Sequence, residues 1–373
     1  MLDVFATAVF EGGGLGKHSN GDLQEILAGK NVGSSLKIDE DMFSISGTTT
    51  PSDFALETQI ICASITDPGY RTEALWQFQK AIPMMYQQLK HTPAGPQQEM
   101  ESWLHGGDFR FTIAPAGKLS SYTIDDAKKW LTPELTKAYL ELTIVGDFEI
   151  EKILPDLLAT FGALPTRAAA LTALPDARKV QFPNAPAAKT FTYESKIPQG
   201  VAMALWKTNG IRNNQKEIRR LNILASIYGD RLREEIREKL GASYSPNAGA
   251  AGSDALEGYA YLIGESVGKP QDLELLLKTM RELADTLASK GASEDELDRA
   301  LKPALSQIAK SNRDNSYWLG TVLSQAQADP QRIELARGRD ADYKSISLKE
   351  VNALAKKYLA AENALAVSIK PAE

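Results

Sequence analysis

Cysteine is nearly absent from this 373-residue chain. Cys62 stands alone, so neither an intrachain disulfide nor a cysteine-rich zinc site can form. Histidine is almost as scarce. His18, His91 and His105 are too scattered for a helical metal pair, which needs a spacing of three or four, and they read as surface or loop residues. No apolar run approaches the ~18–20 residues of a membrane helix, so no membrane insertion is expected. Positive charge is not in surplus either. A net charge of −6 argues against nucleic acid as a partner, because neutralising phosphates takes clustered Lys and Arg. The basic start of a secretory leader is missing too: Met1–Phe10 is apolar, but Glu11 and a glycine run follow at once. The chain reads as starting inside a helix, as a piece cut from something longer.

What remains is globular. Hydrophobic residues make up 43% and charged residues 24%, enough apolar content for a core, and the length suits two domains. Two pairs of segments overlay on one another. Residues 121–147 (SYTIDDAKKWLTPELTKAYLELTIVGD) match 345–370 (SISLKEVNALAKKYLAAENALAVSIK) in a capping Thr or Ser, an acidic first turn, an amphipathic helix and a β-rich run. Upstream, Asp22–Gly29, the run Met42–Gly47 and the helix Thr72–Leu89 match Arg219–Gly241, Gly258–Ile263 and Gln271–Lys290. The two offsets, about 224 and about 213 residues, are nearly equal and argue for an internal duplication with a period of about 215–225. The strand-like segments Thr190–Tyr193 and Val201–Leu205 have counterparts that would fall before residue 1. The first copy therefore lacks its opening strand or strands. The expected fold is α+β: two duplicated α/β sandwich domains, each a mixed sheet with helices mainly on one face. The expected boundaries are 1–165, a Pro- and Ala-rich linker at 166–188, and 189–373.

Glu11-Gly-Gly-Gly-Leu-Gly-Lys-His-Ser19 has the look of a phosphate loop but fails its spacing. Only three residues separate Gly12 from Gly16, and His18 stands where the magnesium-binding hydroxyl belongs. It reads as a helix-to-helix connection with Ser19 or Asn20 capping the next helix.

The richest segment is Ile218–Pro246, IRRLNILASIYGDRLREEIREKLGASYSP. Leu221, Leu224, Ile227 and Tyr228 recur at helical spacing, as do Leu232, Ile236 and Leu240, and Gly241 ends the pattern as a C′ residue does. Gly229 is a place where the helix could bend. The charged residues between read as a solvated face with pairs such as Glu235 to Lys239.

REKLGASY, residues 237–244, resembles the signature of the pitrilysin/insulinase family of zinc peptidases, the inverzincins: an Arg and a Tyr seven residues apart near a helix C-terminus, here Arg237 and Tyr244. The likeness extends to the preceding helix, to the LTIVGD strand at Leu142–Asp147, to the Ile150–Phe161 helix and to Leu164-Pro165. The whole chain resembles the third and fourth domains, the C-terminal half, of that family. The resemblance implies a clam shell whose N-terminal half holds zinc on His-x-x-Glu-His and whose C-terminal half closes over the peptide. Arg237 and Tyr244 would then bind substrate and stabilise the transition state. The family's Phe-x-Gly helix end fits Phe10-Glu11-Gly12, which puts the His, Glu and His positions on Asp3, Ala6 and Thr7. No catalytic or metal-binding residue is thus expected here, and zinc is expected on the missing half.

The implied function is that of a non-catalytic, substrate-binding half of a zinc metalloendopeptidase, inactive in proteolysis without its partner. The alternative is a catalytically dead relative serving as a peptide-binding or structural partner subunit. Expected partners are the N-terminal catalytic half and peptide substrates, with self-association through an unpaired sheet edge. Bacterial relatives in the periplasm make that compartment the weak preference.

Overall fold

The run GVAMALWK in β4 (Gly200–Lys207) is apolar without alternation, the mark of a strand covered on both faces, and Ala202 to Trp206 are all buried. The computed structural model describes residues 2–212, 214–241 and 245–372. It divides into two units: 2–86 with 113–173, and 87–112 with 174 onward. β4 is the central strand of the second. Its sheet runs β3 (Ala187–Tyr193), β7 (Ala364–Pro371), β4, β6 (Ala260–Gly268), β5 (Asn247–Gly252), with β3 parallel to β7 and every other pair antiparallel. This is the mixed α+β architecture expected.

Alternation along β4 divides its side chains between two cores. Ala202, Ala204 and Trp206 face the helices α9 (Gln215–Leu232), α10 (Leu273–Lys290), α11 (Glu294–Ser311) and Leu348–Tyr358, through Leu221, Leu224, Ile227, Met280 and Val351. Met203 and Leu205 face a smaller core with Phe191, Tyr259, Val367 and Leu104. Leu104 ends helix α5 (Ala94–Leu104), so residues 87–112, expected within the first domain, pack with the second unit. His105 lies in this smaller core. It is buried, not a surface residue, with its ring stacked 3.6 Å from Phe111 and 4.1 Å from Tyr259, and burial lowers its pKa. The Pro- and Ala-rich 166–188 stretch splits between the units: Phe182 is buried, and β3 already begins at Ala187.

The first unit is built on α1 (Leu2–Gly13), whose Phe5, Val9 and Phe10 pack with Leu36, Tyr70, Leu131 and Leu135. Ser19 caps α2 (Asn20–Ile26) in a reciprocal box with Asp22, as read from the sequence. Its sheet has only two strands, β1 (Ser35–Ile38) and β2 (Phe43–Ser46), antiparallel. Asp39 N–H donates to Met42 O across the hairpin, and Leu36 N–H donates to Glu11 Oε1 instead of β2. Antiparallel alternation then turns the backbone groups of Phe43 and Ile45 away from β1, toward an open edge.

The expected LTIVGD strand is absent: Leu142–Asp147 carries no strand, although Thr143, Ile144 and Val145 are half-buried. Its counterpart β7 is paired on both sides, by β3 and β4. Counterparts of those two strands do not occur in the first unit among the described residues, which leaves a β-prone run without a ladder.

Candidate functional site

α9 is held at one end by two buried guanidinium groups and at the other by a half-buried one. Arg219 and Arg220 share Asp342, at 2.8 and 2.7 Å, and Arg220 Nε also reaches Glu350 at 2.9 Å. Burial pushes the Asp342 carboxyl up, but the Arg219 and Arg220 hydrogen bonds outweigh it and its pKa is lowered. Glu350, which also caps the last helix by accepting from Ser347 N–H, is held down at about 2. At the far end Arg231 grips Glu296 at 2.7 Å, and that contact holds Glu296 at about 2. Arg231 therefore leaves the expected solvated face. The helix runs unbroken through Gly229, where a Cβ would sit 3.4 Å from the Ala248 amide nitrogen; the glycine serves close packing on β5, not a bend.

Beyond Leu232 the helix widens into a π turn, Arg233–Lys239, and Leu240 N–H donates five residues back to Glu235 O at 3.0 Å. Ile236 is its one buried residue and anchors the turn in the core. Gly241, at φ +60°, closes it. The exposed charges pair locally: Arg233 with Asp230 at 2.6 Å, and Lys239 with Glu235 at 2.9 Å and Glu234 at 3.3 Å. Glu234, three residues before Arg237, pairs with Lys239 and not with Arg237. Arg237 is exposed and has no hydrogen-bond or ion-pair partner among the described residues. Tyr244 lies outside the described residues.

Beside this turn runs a polar groove of about 350 Å³, between Asn222, Ser226 and Arg233 on the helix and Ala248 and Ala250 on β5. β5 is an edge strand. Ser253 N–H donates to Tyr259 O, and counting the alternation back from that pair turns the N–H and C=O of Ala248 and Ala250 to the open side. Free backbone donors and acceptors along this edge suit an extended peptide; Arg237 does not line the groove and lies one helical turn beyond Arg233, which does.

In the first unit, α1 packs on β1 as α9 packs on β5. Its Asp3, Ala6 and Thr7 do not form a zinc shell. Ala6 is a fully buried methyl, and no three His, Cys, Asp or Glu gather as a metal site among the described residues. Glu11 is spent on β1, accepting from Leu36 N–H and from the Ser35 hydroxyl.

Residues 121–303 match the family described as the Peptidase M16 inactive domain. The whole chain superposes on the periplasmic protease PqqL from Escherichia coli with a TM-score of 0.80 and 18% identity, covering 100% of this chain and 41% of that one. Residues 121–303 are thus an M16 peptidase domain, and the whole chain has the fold of M16 peptidases.

A mutant of the ferredoxin protease FusC, in complex with Arabidopsis ferredoxin, has the same fold: TM-score 0.78, 13% identity, 99% of this chain and 40% of FusC. So does an M16 inactive domain from Pseudomonas fluorescens, at TM-score 0.76, 15% identity, and 99% and 88% coverage. The chain thus spans about two fifths of the length of PqqL and FusC. No curated protein matches the sequence.

Sequence reasoning missed the acidic partners of Arg219, Arg220 and Arg231. Ser293-x-x-Glu296 and Ser347-x-x-Glu350 are legible as capping boxes, but nothing local shows that each glutamate also meets an arginine 65 or 130 residues away.

Proposed function

We propose that this chain is the non-catalytic, peptide-binding half of a zinc-dependent M16 metallopeptidase. An extended peptide adds to the open edge of β5, and Arg237, together with Tyr244, donates to its backbone or to the oxyanion formed during cleavage. The metal and its activated water belong to a catalytic partner half, since the residues of α1 supply no metal shell. The observation that carries the reading is the exposed Arg237 guanidinium, without a partner among the described residues, beyond a helix whose Arg219, Arg220 and Arg231 are all paired.

Recombining the chain with a catalytic half tests it. Arg237→Ala should lower kcat/KM by a factor of ~10–10³, the range for one or two transition-state hydrogen bonds. Stability should stay within about 0.5 kcal/mol of the parent. Loss of stability with unchanged kinetics in the folded fraction would return Arg237 to a structural role. Peptide binding with no metal-dependent cleavage in the recombined protein would favour the second reading, a catalytically dead partner subunit. A periplasmic location is proposed on the likeness to PqqL, and no helix among the described residues is long and apolar enough to cross a membrane.

A further inference from the structure

The opposite edge of the five-stranded sheet carries a second, larger opening. β3 is the edge strand there, and Ala188, Thr190 and Thr192 lie exposed on the face that the helices cover elsewhere in the sheet. Between this uncovered face and α10 is a groove of about 750 Å³. Thr190 and Ser368 line its floor with hydroxyls, Leu273 and Leu277 form an apolar wall, and Arg281 enters from α10.

Arg281 sets this groove apart. Its Nε is buried with no hydrogen-bond partner, and it has no ion pair among the described residues. Asp285, one turn along, lies beyond ion-pair distance, and Glu282 is 3.8 Å from Lys278 instead. Desolvating part of a guanidinium without compensation is unfavourable, and the geometry is that of a donor awaiting an anion. The other charges select which anion. Glu274, Glu282 and Asp285 line the same groove with Lys189, Lys278 and Lys370, so three carboxylates offset three ammonium groups and the single charge of Arg281 is left over. A monoanion fits, and a carboxylate matches the planar fork of arginine. The apolar wall beside it asks for a hydrophobic group on the same ligand, and the open edge of β3 offers main-chain pairing. A peptide's last residue carries all three: a carboxylate, an apolar side chain and an extended backbone.

We infer that this groove captures the C-terminal end of an extended peptide with an apolar last residue, its α-carboxylate held by Arg281. The site is separate in residues from the β5 groove and Arg237, and binding to the chain alone reads it without any catalytic half.

The test is fluorescence polarisation on the intact chain with a labelled hexapeptide ending in leucine, compared with the same peptide as its C-terminal amide. Saturable binding of the free acid is expected, with the amide at least ~10-fold weaker, the loss of one charge-assisted contact. Arg281→Gln should abolish the preference for the acid, and Arg281→Lys should retain part of it. Because Arg281 has no partner among the described residues, thermal unfolding of Arg281→Gln should not fall below that of the parent. Equal affinity for acid and amide, or no saturable binding of either at millimolar peptide, overturns the inference on the unmodified protein alone. A preference that survives in Arg281→Gln would overturn the role of Arg281.

Discussion

Asp342→Asn removes one negative charge from beneath two guanidinium groups without changing volume. Arg219, Arg220 and Asp342 have side chains only 11, 10 and 9% exposed, so both arginines lose a partner in a largely dry place. Breaking a buried pair costs about 3–5 kcal/mol, most of it the exposure of an uncompensated charge to low dielectric. The low end applies here. Arg219 keeps the Leu335 carbonyl at 2.7 Å, and Arg220 keeps Glu350 at 2.9 Å and the Lys216 carbonyl at 3.2 Å. About 3 kcal/mol, at roughly 2–4 °C per kcal/mol for a unit of this size, lowers the melting temperature of the second unit by roughly 6–12 °C. Asp340→Asn is the control two residues away: its pair with Lys344 is solvent-exposed, and its loss should stay within about 0.5 kcal/mol. Urea denaturation followed by tryptophan fluorescence reads both, because Trp206 is fully buried in this unit. If the two variants melt together, the Arg219–Asp342–Arg220 cluster does not brace α9.

Acid should weaken the second unit in a defined window. The folded pKa values of Glu296 and Glu350 are near 2 against an ordinary 4.5, so their stabilisation is complete above pH about 4.5 and is lost as pH falls toward 2. Glu296→Gln should flatten that part of a stability-versus-pH curve, and an unchanged curve would deny the Arg231 contact its role. In hydrogen exchange, the amides of Phe43 and Ile45 and the run 142–146 should exchange fast, and the first unit should open at lower denaturant than the second; equal protection of both units would refute the open sheet. Gly264→Ala should destabilise by about 1–3 kcal/mol, since its Cβ would lie 2.7 Å from Cε1 of Tyr228, a buried ring fixed by its hydrogen bond to Met280 O. A neutral result by equilibrium denaturation would mean that α9 can lift from the sheet.

Local chemistry was legible wherever it was also decisive. Capping boxes at Ser19, Thr123 and Ser347, the glycine end at Gly241 and the double-sided burial of β4 all follow from neighbouring residues. LTIVGD shows where that stops. Leu142–Asp147 has strong β propensity, yet a strand exists only with a partner, and propensity carries no information about whether one is present. His105 was misread for a related reason: its burial comes from Phe111 and Tyr259, one six residues away and the other 154. Arg237 stands out in the sequence by its spacing from Tyr244. That Lys239 would take Glu234, and so leave Arg237 without a partner, depends on the wider π turn and not on the α-helical count.

The duplication sharpens what sets the two units apart. Each lays a helix against an edge strand, α1 on β1 and α9 on β5. In the first, the polar groups at that junction are consumed internally: Glu11 satisfies the β1 backbone, and Ala6 fills the core. In the second, Arg219, Arg220 and Arg231 spend their charges on Asp342, Glu350 and Glu296, away from the strand edge, and so fix the helix without occupying the groove. Ala248 and Ala250 keep their side chains small, which leaves the strand edge accessible. A binding surface made from a helix end and a strand edge needs rigid backing and unspent donors together. The second unit provides the backing and the open edge together, and that is why the proposed peptide site is put on α9 and β5.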